Sequence, residues 1–159
     1  MLLIIFVLVI PGIAAAVLDQ STTVAVKQTK ALTVSEPTFK EYRGVKIGMT
    51  ATDVRQKLGD PKIKDKAQDF FAFGDNESAQ FFYDAEQKVY AISIDFTGKS
   101  APTALDVLGE EVTPKADGSL YRIKQYPTAG YWVSYNRTSG DAGMVSVTIQ
   151  KLGLGKKTS

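Results

Sequence analysis

The chain has 159 residues, 44% hydrophobic and 23% charged, with 19 basic and 17 acidic side chains giving a net charge of +2. That suits one domain, or two small repeats sharing a core, with a terminal extension; so small a charge surplus, scattered rather than gathered in a stripe, gives no basis for nucleic-acid binding. Cysteine and histidine are both absent, which excludes disulfides, thiolate nucleophiles, Ser-His-Asp triads and metal sites built on either residue.

Met1 to Leu18, "MLLIIFVLVIPGIAAAVL", is apolar throughout, and the first charge is Asp19. The Pro11-Gly12 break followed by Ala14-Ala15-Ala16 predicts a signal peptide over residues 1–16 and hence an exported, periplasmic or extracellular protein. The same stretch is near the shortest length for a spanning helix, so an uncleaved membrane anchor and a buried helix are the alternative readings. An anchor of that kind is the only membrane contact the sequence suggests. Residues 17–38 are rich in Ser, Thr, Val and Lys and end at Glu36-Pro37, which reads as a linker with one short strand at Thr22 to Val26.

Gly48 to Pro61, "GMTATDVRQKLGDP", predicts a helix with marked ends. Thr50 is the N-cap, and Asp53 completes a T-x-x-D capping box. Met49 and Val54 have the spacing of a hydrophobic staple, and Ala51, Val54 and Leu58 form one apolar stripe. Gly59 supplies a left-handed stop, and Pro61 prevents continuation.

Three strands follow in "QDFFAF", "AQFFYD" and "VYAISIDF", and three more in "LYRIKQY", "YWVSYN" and "MVSVTIQ". Between the triplets, Leu58-Gly59-Asp60 recurs as Leu108-Gly109-Glu110. At the same offset Phe71 falls on Tyr121, Phe73 on Ile123, Phe81 on Tyr131 and Phe82 on Trp132. After the longer loop Asn136 to Gly143, Tyr90, Ile92 and Ile94 fall on Val145, Val147 and Ile149. The pattern predicts an α+β fold of two tandem αβββ units, 39–98 and 99–152, with a solvated tail at 153–159. Short loops make neighbouring strands antiparallel, giving a six-stranded sheet with two helices on one face.

Alternation assigns the faces. Tyr90, Ile92, Ile94 and Phe96 are expected beneath the helices, with Val89, Ala91, Ser93 and Asp95 opposite. In the second triplet the inward sets are Tyr121 and Ile123, then Tyr131, Val133 and Tyr135, then Val145, Val147 and Ile149. That leaves Phe82, Arg122, Lys124, Tyr126 and Trp132 on the open face among Ser, Thr, Gln and Asn. Exposed aromatics with basic residues around them have the composition of a protein-binding surface. The alternative is that the linker, the long hairpin or the other unit covers them.

The segment "VKIGMTATDVRQKLGDP" resembles the G-M-T-x-x-[DE]-V-x-x-x-L-G-x-P signature of the BamE-like (SmpA/OmlA) family, matching at Gly48, Met49, Thr50, Asp53, Val54, Leu58, Gly59 and Pro61. The tandem layout, over roughly Tyr42 to Leu152, is also similar to the β-lactamase inhibitory protein fold. The first resemblance implies an accessory protein of outer-membrane assembly, and the second an inhibitor gripping its target with a concave sheet.

No catalytic pair is legible. Asp75 with Glu77 and Glu110 with Glu111 fall beside turns, where carboxylates are ordinarily solvated. "NRTSGDAG", Asn136 to Gly143, lacks the alternating acidic series of a calcium loop, and "GLG" near the C-terminus precedes no helix. The expectation is a non-catalytic, protein-binding or scaffold domain of the cell envelope, without metal or cofactor. The alternative is a secreted inhibitor of an extracellular hydrolase.

Overall fold

In a computed structural model, residues 36–98, 101–140 and 143–153 are described. The signal segment, nearly all of the linker with its expected strand at Thr22 to Val26, and most of the tail lie outside them. The described residues fall within the compact unit Thr33–Ser159. No helix among them is long and apolar enough to cross a membrane.

The first helix, α1 (Ala51–Leu58), is eight residues long, too short to persist without tertiary support. Thr50 caps it, accepting from the Asp53 amide at 3.2 Å and donating to the Asp53 carboxylate at 2.8 Å. The expected box is therefore half formed here, while the backbone on either side of Thr50 bonds to residues 87–89, the Ala51 amide donating to the Gln87 carbonyl and the Val89 amide to that of Met49. The second helix, α2 (Ala104–Leu108), carries the reciprocal box: the Thr103 amide donates to Asp106 at 2.8 Å, and the Asp106 amide to the Thr103 hydroxyl at 3.2 Å. The stops differ as well. Gly109 is left-handed at φ 69° and ψ 19°, whereas Gly59 leaves α1 at φ 84° and ψ −159°, outside the left-handed helical region expected for it. Ala51 and Val54 are buried on α1, and Ala104, Val107 and Leu108 on α2.

Among the described residues seven antiparallel strands form one sheet: β1 (Ile63–Lys64), β2 (Gln68–Ala72), β3 (Glu77–Tyr83), β4 (Val89–Phe96), β5 (Leu120–Tyr126), β6 (Tyr131–Arg137) and β7 (Val145–Lys151). Their spatial order is β1-β2-β3-β4-β7-β6-β5. The strand absent from the expectation is β1, two residues that pair with Phe70 and Asp69. The architecture is α+β, an antiparallel sheet with two short helices.

One core joins both helices to a single face of the sheet. Phe81, Ile92, Ile94, Val133, Val147 and Ile149 are wholly buried there, each worth roughly 1.5–3 kcal/mol of transfer free energy. Two departures from the expected faces follow from register. Between β3 and β4 the pairing shifts from Phe82↔Ala91 to Tyr83↔Val89, so the bulge leaves Tyr90 without a partner of its own. Val89 is thereby buried in the core, while the Tyr90 ring lies 6.2 Å from that of Phe82.

The second departure is on β5. Arg122 pairs with Tyr135, Lys124 with Val133 and Tyr126 with Tyr131. Directly opposed residues share a face, so Arg122, Lys124 and Tyr126 lie on the helix side, not the open side. Tyr121 and Ile123, expected inside, are 55% and 42% exposed on the other face.

Candidate interaction surface

The helix face is tied together by charge. Asp69 on β2 is fully buried, and Arg55 from α1 grips it with Nε at 2.8 Å and Nη2 at 3.0 Å. The Tyr83 hydroxyl donates to the same carboxylate at 2.8 Å. Burial, with the Asp69 contact adding to it, pushes the Tyr83 phenol well above its ordinary range, and the bond that Arg55 donates to Asp69 raises the Arg55 guanidinium. At the other end, Arg122 Nε donates to Glu110 at 3.1 Å, and Lys124 Nζ donates to the Leu108 carbonyl at 3.0 Å. Lys124 thus supplies a cation and a donor where α2 ends, which suits the negative end of the helix. The Arg122 bond, then the nearby Lys124 charge, hold the Glu110 carboxyl below its usual value.

Two of the five residues expected to meet a partner, Arg122 and Lys124, therefore tie the end of α2 to the sheet, and a third is buried on the same face. Tyr126 is 2% exposed, packs on Tyr131 at 6.1 Å between ring centres, and has a buried hydroxyl without a hydrogen-bond partner among the described residues. Burial raises its pKa, with the Glu110 charge a lesser cause. The other two, Phe82 and Trp132, lie on the open face.

Register lays that face out in rows. Phe82, Ala91, Gln150, Trp132 and Gln125 form one, and Phe70, Gln80, Ser93, Thr148, Ser134 and Ile123 the next. A third runs from Ala72 through Ser78, Asp95, Ser146 and Asn136 to Tyr121. The middle is hydroxyl and amide; its charged group, Asp95, accepts from Ser146 Oγ at 2.6 Å. Apolar residues flank it: Ile63, Phe70, Phe82 and Tyr90 on one side, and Trp132, Ile123 and Tyr121 on the other. Phe82 and Trp132 stand three strand spacings apart, about 14 Å. Such a surface offers two apolar anchors across a strip of donors and acceptors, and no titratable pair for chemistry.

The carboxylates considered for catalysis are not brought together. Glu77 accepts from Tyr42 and Arg43, whose guanidinium also sits 4.1 Å from the centre of the Phe73 ring. Glu110 is held by Arg122. Among the described residues no group of three or more acidic side chains is placed to hold a metal ion. A cavity of about 840 Å³, unexpected from the sequence, opens beside α2 between Pro102, Leu105, Val112, Leu120, Tyr135 and Arg137. Two of its polar groups hold loops: the Tyr135 hydroxyl donates to the Pro102 carbonyl, and Arg137 to that of Gly118.

Tyr121, Ile123 and Gln125 were missed as open-face residues, and one signal could have found them. Tyr126 and Tyr131 close the four-residue turn Pro127 to Gly130. A closing pair shares a face, so Tyr131 inside requires Tyr126 inside and Gln125 outside.

No protein-family profile, no characterised protein and no solved structure matches the chain.

Proposed function

We propose that the chain is an exported, non-catalytic protein-binding domain of the bacterial envelope, built from two tandem αβββ units, and that it meets its partner through the open sheet face. The observation that carries this reading is the row containing Phe82 and Trp132, flanking an almost uncharged strip that the helices leave free. Interfaces concentrate their energy in a few aromatic anchors surrounded by polar contacts. The basic residues of the original expectation, Arg122 and Lys124, belong to the helix face and are not part of this surface.

Support for the duplication comes from the helices. Thr50-Ala51-Thr52-Asp53-Val54 and Thr103-Ala104-Leu105-Asp106-Val107 share T-A-x-D-V, and both helices end in Leu-Gly followed by an acid. The second has lost Arg55-Gln56-Lys57 between the two halves of the motif. Phase is kept because three residues are nearly one turn, and Val54 and Val107 are both wholly buried. The strand order supports it too: β4 and β7, the last strand of each triplet, pair at the centre with the others outward from them. Resemblance to BamE-like proteins rests on the motif around α1, and export on the apolar segment Met1 to Leu18.

The test is capture from an envelope fraction with Trp132→Ala and Phe82→Ala, each first shown to unfold at the parent temperature. Loss of the partners held by the parent chain is expected. Unchanged capture by both variants would sink the open-face reading.

A further inference from the structure

The two edges of the sheet are built differently. At one, β1 is two residues long and follows Pro61, a short, proline-guarded edge of the kind that resists pairing. At the other, β5 runs seven residues, pairs with β6 without a bulge, and contains no proline. Among the described residues nothing pairs with its free side.

Which backbone groups face that free side follows from the ladder. The Leu152 amide donates to the Gly130 carbonyl, so at Gly130 β6 turns its backbone groups toward β7. In an antiparallel ladder this direction alternates. Trp132, Ser134 and Asn136 therefore bond to β7, and Tyr131, Val133, Tyr135 and Arg137 to β5. On β5 their partners Tyr126, Lys124, Arg122 and Leu120 turn toward β6. The amides and carbonyls of Tyr121, Ile123 and Gln125 point outward.

The same edge carries unused charge. One carboxylate, Glu110, serves both Arg122 at 3.1 Å and Lys124 at 3.6 Å, and the Arg122 side chain remains 57% exposed. Beside these cations the exposed Tyr121 and Ile123 offer apolar contact on the opposite face.

We propose that the free edge of β5 takes up an extended acidic segment of a protein as a further strand. Its backbone bonds to Tyr121, Ile123 and Gln125; its acidic side chains face Arg122 and Lys124, and its alternate apolar side chains cover Tyr121 and Ile123. A second copy of this chain is a poor occupant. Pairing β5 with itself about Ile123 sets Arg122 against Lys124, and pairing it about Arg122 sets that residue against its own copy; like charges directly opposed destabilise a pair. The inference does not rest on the open-face reading.

The probe is a short synthetic peptide alternating valine with glutamate, added to the full chain. A lysine-for-glutamate peptide, and a glutamate peptide N-methylated along its bonding edge, are the controls. The glutamate peptide is expected to slow amide exchange at Tyr121, Ile123 and Gln125. It should bind about tenfold more tightly than the lysine peptide, the ratio for cross-strand pairs changed from opposite to like charge. The N-methylated peptide and the Ile123→Pro variant should abolish binding; the Ile123 amide points outward, so proline there spares the β6 ladder. Equal binding of the glutamate and lysine peptides overturns the proposal. So does retained binding of the N-methylated peptide, protection elsewhere, no binding, or self-association that protects these amides without peptide. Repeating the measurement on Trp132→Ala, where binding should be unchanged, separates this edge from the open face.

Discussion

Replacing Arg55 by methionine tests whether the buried carboxylate of Asp69 is held by charge or merely covered. Asp69 has no exposed surface, and the Arg55 guanidinium meets both of its oxygens. Removing one member of a buried ion pair costs about 3–5 kcal/mol, because the remaining charge stays desolvated. Arg55 is 24% exposed and Tyr83 still donates to the carboxylate, so the lower end, about 3 kcal/mol, applies. At roughly 4 °C per kcal/mol for a domain of this size, Tm should fall by about 12 °C. Urea unfolding followed by circular dichroism should show a lower midpoint with an unchanged slope. Removing the whole polar group in Arg55→Met/Asp69→Leu/Tyr83→Phe should return stability to within about 1 kcal/mol of the parent, since no charge or hydroxyl is left unpaired. A cost below about 1 kcal/mol for Arg55→Met, or a triple variant no more stable than the single one, would refute the reasoning.

Tyr126→Phe should leave stability unchanged or raise it by up to about 1 kcal/mol in the same assay, because the hydroxyl removed is buried without a partner among the described residues. Gly109→Ala should destabilise by about 1–2 kcal/mol, since Gly109 is left-handed and an added Cβ would lie 2.7 Å from Thr38 Oγ1; combining it with Thr38→Ala should recover the part due to the clash. Glu110 is held below the usual carboxylate value by Arg122, so its stabilising contribution is present above pH 4.5 and lost as pH falls through the folded value. Glu110→Gln should accordingly flatten the acid limb of stability against pH, and a parallel loss in both proteins would remove Glu110 as its source. Tyr83 and Tyr42 are shifted the other way, chiefly by burial, so their contribution is full below pH 10 and lost above it; Tyr83→Phe should flatten the alkaline limb.

The elements were largely legible, because they rest on local signals. The extents of β4 and β5 coincide with the apolar and β-branched runs "VYAISIDF" and "LYRIKQY". The faces were less so, for two physical reasons. A bulge adds one residue to one strand and reverses every side chain beyond it; nothing in Val89-Tyr90-Ala91 marks Tyr90 as the extra one. On an edge strand the larger apolar residues need not be the buried ones. There β5 buries only its ends, Leu120 and Tyr126, and spends its inward middle on cations paired with Glu110. Asp69 was missed because no face was assigned to "QDFFAF"; it shares the inward face with Phe71, at a position where alternation leads to an apolar residue rather than an acid. The binding candidates followed the same division. Phe82 and Trp132 sit on central strands whose neighbours fix their phase, while Arg122, Lys124 and Tyr126 sit on the edge.

Salt separates the two proposed contacts because the surfaces differ in charge. Among the described residues, every ion pair between the sheet and a helix or loop lies on the helix side, at Asp69, Glu77 or Glu110, and the one charged group of the open-face rows, Asp95, is bonded to Ser146. Near 1 M salt the screening length falls to about 3 Å, comparable with the separations at Glu110. An acidic strand on β5 meets Arg122 in water, so its affinity should drop steeply between low and high salt. A complex held by Phe82 and Trp132 should keep its affinity or gain slightly, since excluded salts strengthen apolar burial. Measuring both the glutamate peptide and the captured partner across one salt series therefore assigns each to its surface. If the peptide's affinity proves indifferent to salt, Arg122 and Lys124 do not recognise it; if the partner's affinity collapses with salt, the uncharged face is not what holds it.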